Sequence, residues 1–371
     1  MSDCLANDTI PLANRIEGRL VRALRHVPGA WLLRAIGERP RVIDGLTLDP
    51  HVQFILAMQR RKASTLMSGL TPGEARRRNR LEIRAVTVGA GVAPTPVHTV
   101  RSLSVPGAAG ALAARHYVPA PTLDATAAPL LVFFHGGGFV IGDLDTHDDA
   151  CRMLCHFAGM HVLSVAYRLA PEYPFPAGLD DCHAAARWSL AHAAELGADP
   201  SRMCVGGDSA GANLAIGVAH AMAADQTPVA AQLLIYPATD FTSAGASKTL
   251  FKSGHILTVD DINEFEHLYL GRDQRLQSDP RVSPACSPAL EASPPTYLVT
   301  CGFDPLRDEG EAYAAALQGS GVKTMLRREP ALTHGFLHLT TIVSSARGAV
   351  IAMARRFRAL VDDRASVERM S

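Results

Sequence analysis

Short apolar runs alternate with helical segments from about residue 97 onward, and this alternation restricts the possible folds. Residues 130–134 are apolar at every position, which is typical of a parallel strand buried on both faces. The alternation predicts an α/β protein whose mostly parallel, doubly wound central sheet has helices on both faces. The predicted elements are an antiparallel pair of strands over 97–105 and 112–118, strand 130–134, helix 147–158, strand 162–165, helix 179–196, strand 203–205, helix 210–223, strand 231–236, strand 296–301, helix 309–318, strand 323–328 and helix 341–361.

Residues 1 to about 95 differ from the rest of the chain in their apolar pattern, which shows helical periodicity and no strand signal. Apolar residues recur at helical spacing over 11–26, with arginines between them. This stretch fits either a helix on an anionic membrane surface or a helix that packs its apolar face on the main domain, and we expect the second. Further helices are predicted over 51–67 and from about residue 71.

A polar segment over about 240–283 interrupts the strand–helix rhythm and contains one predicted helix, at about 260–270. An insertion at this point commonly forms a lid over a site. We therefore divide the chain into an N-terminal helical region, 1–95, that contributes to a cap, and a catalytic domain, 96–371, that carries the cap insertion.

Composition excludes several classes of protein. Lysine plus arginine and aspartate plus glutamate number 36 each among 371 residues, so no basic surplus favours nucleic acid. The N-terminus lacks the pattern of a secretion signal, and the longest apolar stretch, 130–141, is too short and too broken to span a membrane.

Seven cysteines without a C-x-x-C pair fit a reduced, cytoplasmic protein, and Cys151 and Cys155 are expected to pack in the core rather than bind zinc. We expect no metal and no organic cofactor.

Residues 207–211 are Gly-Asp-Ser-Ala-Gly and lie between a predicted strand and a predicted helix. A serine at such a sharp turn needs neighbours without bulky side chains, because the flanking backbones come close together. Ser209 is therefore the candidate nucleophile. The pentapeptide by itself is weak evidence, since small residues cluster around glycine and serine in many loops.

A glycine run, His135-Gly136-Gly137-Gly138, directly follows the apolar strand 130–134. Amide groups of such a loop can point at the oxyanion that develops during acyl transfer. The alternatives are a flexible turn or a phosphate-binding loop, but the spacing matches neither phosphate-loop pattern. An oxyanion hole is the favoured interpretation.

Two later loops supply a candidate acid and a candidate base. Asp304 follows strand 296–301, and His334 follows the last strand, so that the order is serine, acid, base. Asp308 is the rival acid, although it falls inside the next predicted helix. His338 is the rival base, but His334 lies beside a glycine in the loop.

These motifs together resemble the hormone-sensitive-lipase-like branch of the α/β hydrolases, which includes bacterial carboxylesterases. The resemblance covers about residues 95–360 and also rests on the segment 167–172, Tyr-Arg-Leu-Ala-Pro-Glu. It implies an α/β-hydrolase fold with a helical cap, and oxyanion-hole amides from Gly137, Gly138 and Ala210. It further implies that His135 and segment 167–172 are structural supports. Members of this family often form homodimers through the edge strand or the last helix, and the sequence leaves the oligomeric state open.

The sequence therefore predicts a serine carboxylesterase that hydrolyses small-molecule esters of short to medium acyl chains through an acyl-enzyme. An amidase, peptidase or lactonase could use the same triad. A hydrolase-fold receptor without turnover is disfavoured, because such proteins typically lose the base.

Overall fold

The computed structural model describes residues 10–61, 66–67, 69–88, 91, 93–121 and 127–368. Its centre is one eight-stranded sheet, and helices cover both faces of that sheet. Among the residues described before the sheet, there are four α-helices and a short hairpin. In order, these N-terminal elements are α1 (Leu12–Ala23), α2 (Gly29–Ala35), β1 (Val42–Ile43), β2 (Leu46–Thr47), α3 (Pro50–Arg61) and α4 (Pro72–Val86).

The hairpin β1–β2 corrects the prediction that residues 1–95 lack strands. Its two-residue turn is Asp44-Gly45, and both residues have positive φ angles, 55° and 73°. The Asp-Gly dipeptide favours a type I′ turn, whose twist matches that of two antiparallel strands. The helix predicted over 51–67 is confirmed over Pro50–Arg61, whereas residues 66 and 67 are not helical. The part of that prediction over 62–65 lies outside the described residues.

The packing of α1 also differs from the expectation. Leu12, Ile16 and Leu20 point away from the protein and are 69%, 50% and 64% exposed. The helix instead packs on α4 through Gly18, where a Cβ atom would lie 2.1 Å from the carbonyl oxygen of Ala85. The expectation that α1 buries its apolar face was wrong, because only the glycine side of the helix lets the two backbones approach this closely.

The sheet confirms the predicted fold class and strand succession. It contains β3 (Thr99–Gly107), β4 (Gly110–Val118), β5 (Ala128–Phe134), β6 (His161–Val165), β7 (Ala198–Asp208), β8 (Gln232–Ile235), β9 (Thr296–Phe303) and β10 (Thr324–Thr333). The spatial order is β10-β9-β8-β7-β5-β6-β4-β3. All neighbours from β10 to β6 pair in parallel, whereas β3 and β4 form the predicted antiparallel pair and β4 runs antiparallel to β6. The carboxyl ends of the parallel strands therefore share one edge.

Seven helices accompany the sheet: α5 (Asp148–Ala158), α6 (Ala177–Ala191), α7 (Ala210–Ala224), α8 (Ala246–Leu250), α9 (Val259–Leu270), α10 (Arg307–Gly319) and α11 (Ser344–Glu368). Side chains of α6, α7 and α10 join the core on one face of the sheet, and those of α5 and α11 join the core on the other. Two closely packed layers of helices on a mainly parallel sheet define the doubly wound class. No helix among the described residues is long and apolar enough to cross a bilayer.

The polar insertion contains α8 and α9, and it contacts the N-terminal region directly. The carboxylate of Asp261 in α9 accepts a hydrogen bond from the amide of Met67 at 3.0 Å. On the other side, Arg76 of α4 donates to the carbonyl oxygens of Val140 and Ala170, each at 2.7 Å. These bonds fix α4 and α9 over the carboxyl edge of the sheet.

Candidate active site

Ser209 lies at the turn between β7 and α7, as the sequence predicts. Its φ of 54° is unusual for a residue with a side chain and marks a strained turn. Gly207 and Gly211 explain the glycine spacing: a Cβ atom on them would lie 2.4 Å and 2.0 Å, respectively, from the carbonyl oxygen of Phe134. The turn is therefore pressed against the end of β5, next to the glycine loop.

The fold brings the three predicted triad residues together. His334 Nε2 lies 2.9 Å from Ser209 Oγ, and His334 Nδ1 lies 2.8 Å from Asp304 Oδ2. Each residue directly follows a parallel strand, β7, β9 or β10, so the common carboxyl edge of the sheet collects them. This is the hydrogen-bonding order that lets an imidazole accept a serine proton while a carboxylate holds its other nitrogen.

Asp304 and His334 are both buried, with fixed orientations. The second carboxylate oxygen of Asp304 accepts a hydrogen bond from the amide of Leu306 at 2.8 Å, and the ring of Tyr236 lies 4.5 Å from that of His334. The rival acid and base have other contacts. Asp308 accepts from the amide of Ser247, and His338 lies edge-on to the ring of His147, 4.7 Å away.

The glycine loop lines the same cavity as Ser209. Gly137 and Gly138 have φ angles of 119° and 59°, which side chains rarely allow. Among the described residues, the amides of Gly137, Gly138 and Ala210 have no hydrogen-bond acceptor in the protein. These three groups are the ones that the family resemblance implies for the oxyanion hole, and Ala210 also begins helix α7.

A buried network supports the loop from below. Asp208 accepts hydrogen bonds from the amide of Gly136 at 2.8 Å and from the hydroxyl of Tyr236 at 3.2 Å, and lies 3.1 Å from His147 Nε2. Burial alone would raise the pKa of Asp208, but the neighbouring His147 and His338 and the amide of Gly136 hold that pKa well below its usual value. Asp208 is therefore a carboxylate that ties the serine turn to the glycine loop.

His135 is a second support. It is fully buried, which lowers its pKa to about 4 and keeps the ring neutral. The ring stacks on Tyr167, whose hydroxyl donates to the His135 carbonyl oxygen at 2.7 Å. Sequence reasoning named His135, but it missed His147, because no motif or spacing relates His147 to residue 208.

One group of side chains in the described ranges has the composition of a metal site. Ligand atoms of His147, Asp208 and His338 lie within 4.8 Å of one another. The Asp208 carboxylate already holds the glycine loop, so we interpret the group as a support. Cys151 and Cys155 are buried in the core, as predicted, and burial raises the pKa of the Cys155 thiol to about 12, which disfavours metal binding.

The cavity beside Ser209 has a volume of about 360 Å³ and mainly apolar walls. That volume is in the usual range of small-molecule sites. Its walls come from five parts of the chain: the glycine loop (135–138), the serine turn (207–211), the histidine loop that follows β10 (334–338), the insertion and the N-terminal helices. The apolar side chains that line it are Val21, Phe54, Ile55, Met58, Leu66, Ile83, Ala85, Val86, Phe139, Ile141, Ala210, Ala238, Phe241, Ile256, Leu257, Ile262, Phe265, Leu306, Leu339 and Ile342.

Comparison with known proteins agrees with this geometry. A family model described as alpha/beta hydrolase fold matches residues 131–338, which include the glycine loop, the serine turn and the histidine loop. The chain is a member of this α/β-hydrolase family. The resemblance to the hormone-sensitive-lipase-like bacterial carboxylesterases is thereby confirmed.

Several relatives of this hydrolase carry names from the same branch. The carboxylic ester hydrolase LipN of Mycobacterium tuberculosis is 45% identical over 90% of both chains. The ethyl acetate hydrolase of Pseudomonas putida is 38% identical over 63% of this chain and 74% of its own length. Among solved structures, a Pyrobaculum calidifontis esterase superposes with a TM-score of 0.77 at 34% identity, covering 84% of this chain and 99% of that one.

Proposed function

We propose that this hydrolase is a serine carboxylesterase in which Ser209 is the nucleophile, His334 the general base and Asp304 the residue that orients the base. The observation that carries the proposal is the continuous contact from Asp304 through His334 to Ser209, at 2.8 and 2.9 Å. The ester hydrolase names of its relatives give the same reaction class.

The reaction begins when His334 accepts the proton of Ser209 as Oγ attacks the ester carbonyl carbon. The negative charge moves to the former carbonyl oxygen, where the amides of Gly137, Gly138 and Ala210 stabilise it. The imidazolium then gives its proton to the leaving alkoxide, and an acyl-enzyme remains. A water molecule that loses a proton to His334 then attacks the acyl carbon. The bond between that carbon and Oγ breaks, the imidazolium returns the proton to Ser209 Oγ, and the carboxylic acid leaves.

The N-terminal helices and the insertion act as a cap in this proposal. Residues of α1, α3, α4 and α9 line the cavity above Ser209, and the ring of Phe265 contacts Gly138 so closely that a Cβ there would lie 2.2 Å away. The apolar walls favour the acyl chains of short- to medium-chain esters.

Cytoplasmic residence and pairing of two chains belong to the same proposal. All cysteines in the described ranges are free thiols, which fits a reducing compartment. Strand β10 is at an edge of the sheet and exposes Met325 and Leu326, which suits pairing with a second copy.

The decisive experiment measures hydrolysis of p-nitrophenyl butyrate and of the matched anilide. We expect the wild type to cleave the ester much faster than the amide, and Ser209→Ala to abolish turnover. Ser201→Ala, an exposed serine outside the cavity, is the control and keeps full activity. Brief mixing with substrate followed by mass spectrometry detects the acyl group on Ser209. Turnover by the Ser209→Ala variant would contradict the proposal.

A further inference from the structure

Helix α1 exposes a continuous apolar ridge, which we define as Leu12, Ile16 and Leu20. The three residues are four apart in sequence and therefore form one row along the helix. A helix of a globular protein normally turns such a row toward the core. In this fold the opposite side of α1, with Gly18 and Val21, lies against the protein, and the ridge is at least half exposed throughout.

A row of arginines runs beside the apolar ridge. Arg15, Arg19 and Arg22 are separated by four and three residues, so they occupy the neighbouring side of the helix. Arg15 and Arg19 are exposed, and neither forms an ion pair with any residue in the described ranges. The helix therefore presents apolar surface and uncompensated positive charge next to each other.

The whole N-terminal region carries the same sign of charge. Residues 1–95 contain fifteen lysines and arginines but only eight aspartates and glutamates, although the complete chain has 36 of each kind. The excess of seven positive charges is thus local to the region that includes α1. Such asymmetry attracts an anionic partner to this side of the molecule.

From these observations we infer that the outer face of α1 binds the surface of a bilayer that contains anionic phospholipids. The apolar ridge would enter the boundary between headgroups and acyl chains, while the arginines contact the negative headgroups. A second copy of the chain fits the same face poorly, since a twofold contact would bring two arginine rows of like charge together. On its inner side, α1 contributes Asn14, Gly18 and Val21 to the wall of the active-site cavity, so a bound bilayer would lie directly outside that wall.

The test is co-sedimentation of the full-length protein with vesicles of phosphatidylcholine, with and without phosphatidylglycerol. We expect binding to the vesicles that contain phosphatidylglycerol and weaker binding at high salt. Leu12→Ser, Ile16→Ser and Leu20→Ser together should lower binding roughly tenfold or more. Arg15→Gln and Arg19→Gln should each lower it about fivefold.

Two controls distinguish a loss of vesicle binding from misfolding of the variants and from self-association. Met325→Ser with Leu326→Ser removes exposed apolar side chains of the edge strand β10, outside α1, and should leave vesicle binding unchanged. Hydrolysis of p-nitrophenyl acetate without vesicles should be the same for all variants, which shows that they are folded. Failure of the wild type to sediment with anionic vesicles, or equal binding by the ridge variant, would overturn the inference. So would light scattering in which the ridge substitutions dissociate a dimer without changing vesicle binding.

Discussion

The carboxylate of Asp208 accepts a hydrogen bond from the amide of Gly136 at 2.8 Å and thereby joins the turn that carries Ser209 to the glycine loop. Neither partner touches the reacting atoms in the proposed mechanism. The bond fixes the distance between the proposed nucleophile and the proposed oxyanion-hole amides, so Asp208 is a positioning residue in that mechanism.

Replacing Asp208 with Asn should therefore lower kcat with little change in KM. The amide keeps the shape of the side chain but loses the charge that faces His147. We expect a fall of roughly tenfold, smaller than the 10²–10³ that loss of an oxyanion-hole donor costs. Steady-state kinetics with p-nitrophenyl butyrate measure it, and Asp199→Asn, an ion-paired carboxylate at the start of β7, is the control. An unchanged kcat would show that the loop keeps its position without this charge.

The two candidate acids of the sequence give a matched pair of variants. Asp304→Asn should lower kcat by about 10⁴-fold, because an amide no longer holds His334 in the tautomer that accepts the serine proton. Asp308→Asn should leave kcat nearly unchanged, since Asp308 binds the amide of Ser247 and not the imidazole. Circular dichroism checks that both variants are folded. The reverse order of effects would identify Asp308 as the acid.

Met58, which belongs to the proposed cap, offers a test of acyl-chain preference. Its side chain lines the cavity from α3, so Met58→Trp should fill part of the volume of about 360 Å³. We expect kcat/KM for p-nitrophenyl octanoate to fall roughly tenfold relative to acetate. Met153→Leu, a buried substitution in α5 outside the cavity, is the control. A uniform loss across all chain lengths would mean that α3 does not contact the acyl chain.

Replacing a glycine by alanine should destabilise the protein in the serine turn but stabilise it in the last helix. Gly211→Ala brings a methyl group within 2.0 Å of the Phe134 carbonyl oxygen and should cost about 1–3 kcal/mol or more, together with activity. Gly348→Ala meets nothing within 4 Å and should stabilise α11 by about 0.5–1 kcal/mol. Urea unfolding of both variants measures the difference, and equal free energies of unfolding would contradict the packing at the turn.

Buried neutral histidines should make the protein less stable in weak acid. Burial lowers the pKa of His116 to about 4, and its Nε2 lies 3.0 Å from Nδ1 of His161. In the unfolded chain His116 binds a proton near the ordinary pKa of about 6.5, whereas the folded ring does not. The contribution of the neutral ring to the free energy of unfolding is therefore fully present above that pH. This contribution is lost as the pH falls from about 6.5 toward 4, with a slope of up to ~1.4 kcal/mol per pH unit for one ring.

Urea unfolding at several pH values between 7.5 and 4.5 measures this slope. His116→Gln should reduce it by up to one proton equivalent, whatever its effect at neutral pH. His51→Gln is the control, because His51 is only half-buried and lies on the N-terminal helix α3. An unchanged slope in the His116 variant would show that this ring does not cause the acid sensitivity.

The sequence by itself determined the fold class and the proposed triad, since both depend on local patterns. Runs such as 130–134 identify buried parallel strands, and residues that directly follow such strands meet at one edge of the sheet. That rule predicts that Ser209, Asp304 and His334 lie close together, and in the structure their side chains are in contact. The Asp44-Gly45 turn carried a comparable local signal for β1–β2, which the sequence interpretation overlooked.

Tertiary structure alone decided what the rival residues contact and which side of a helix meets its neighbour. His334 and His338 both follow β10, but the turn at Gly335 directs only His334 to Ser209 and leaves His338 beside His147. The orientation of α1 is a second case: periodicity shows that the helix has an apolar side, but not which side meets a neighbour. The fit of Gly18 against Ala85 settled that question, because close backbone contact depends on the shape of the partner helix, which periodicity does not encode.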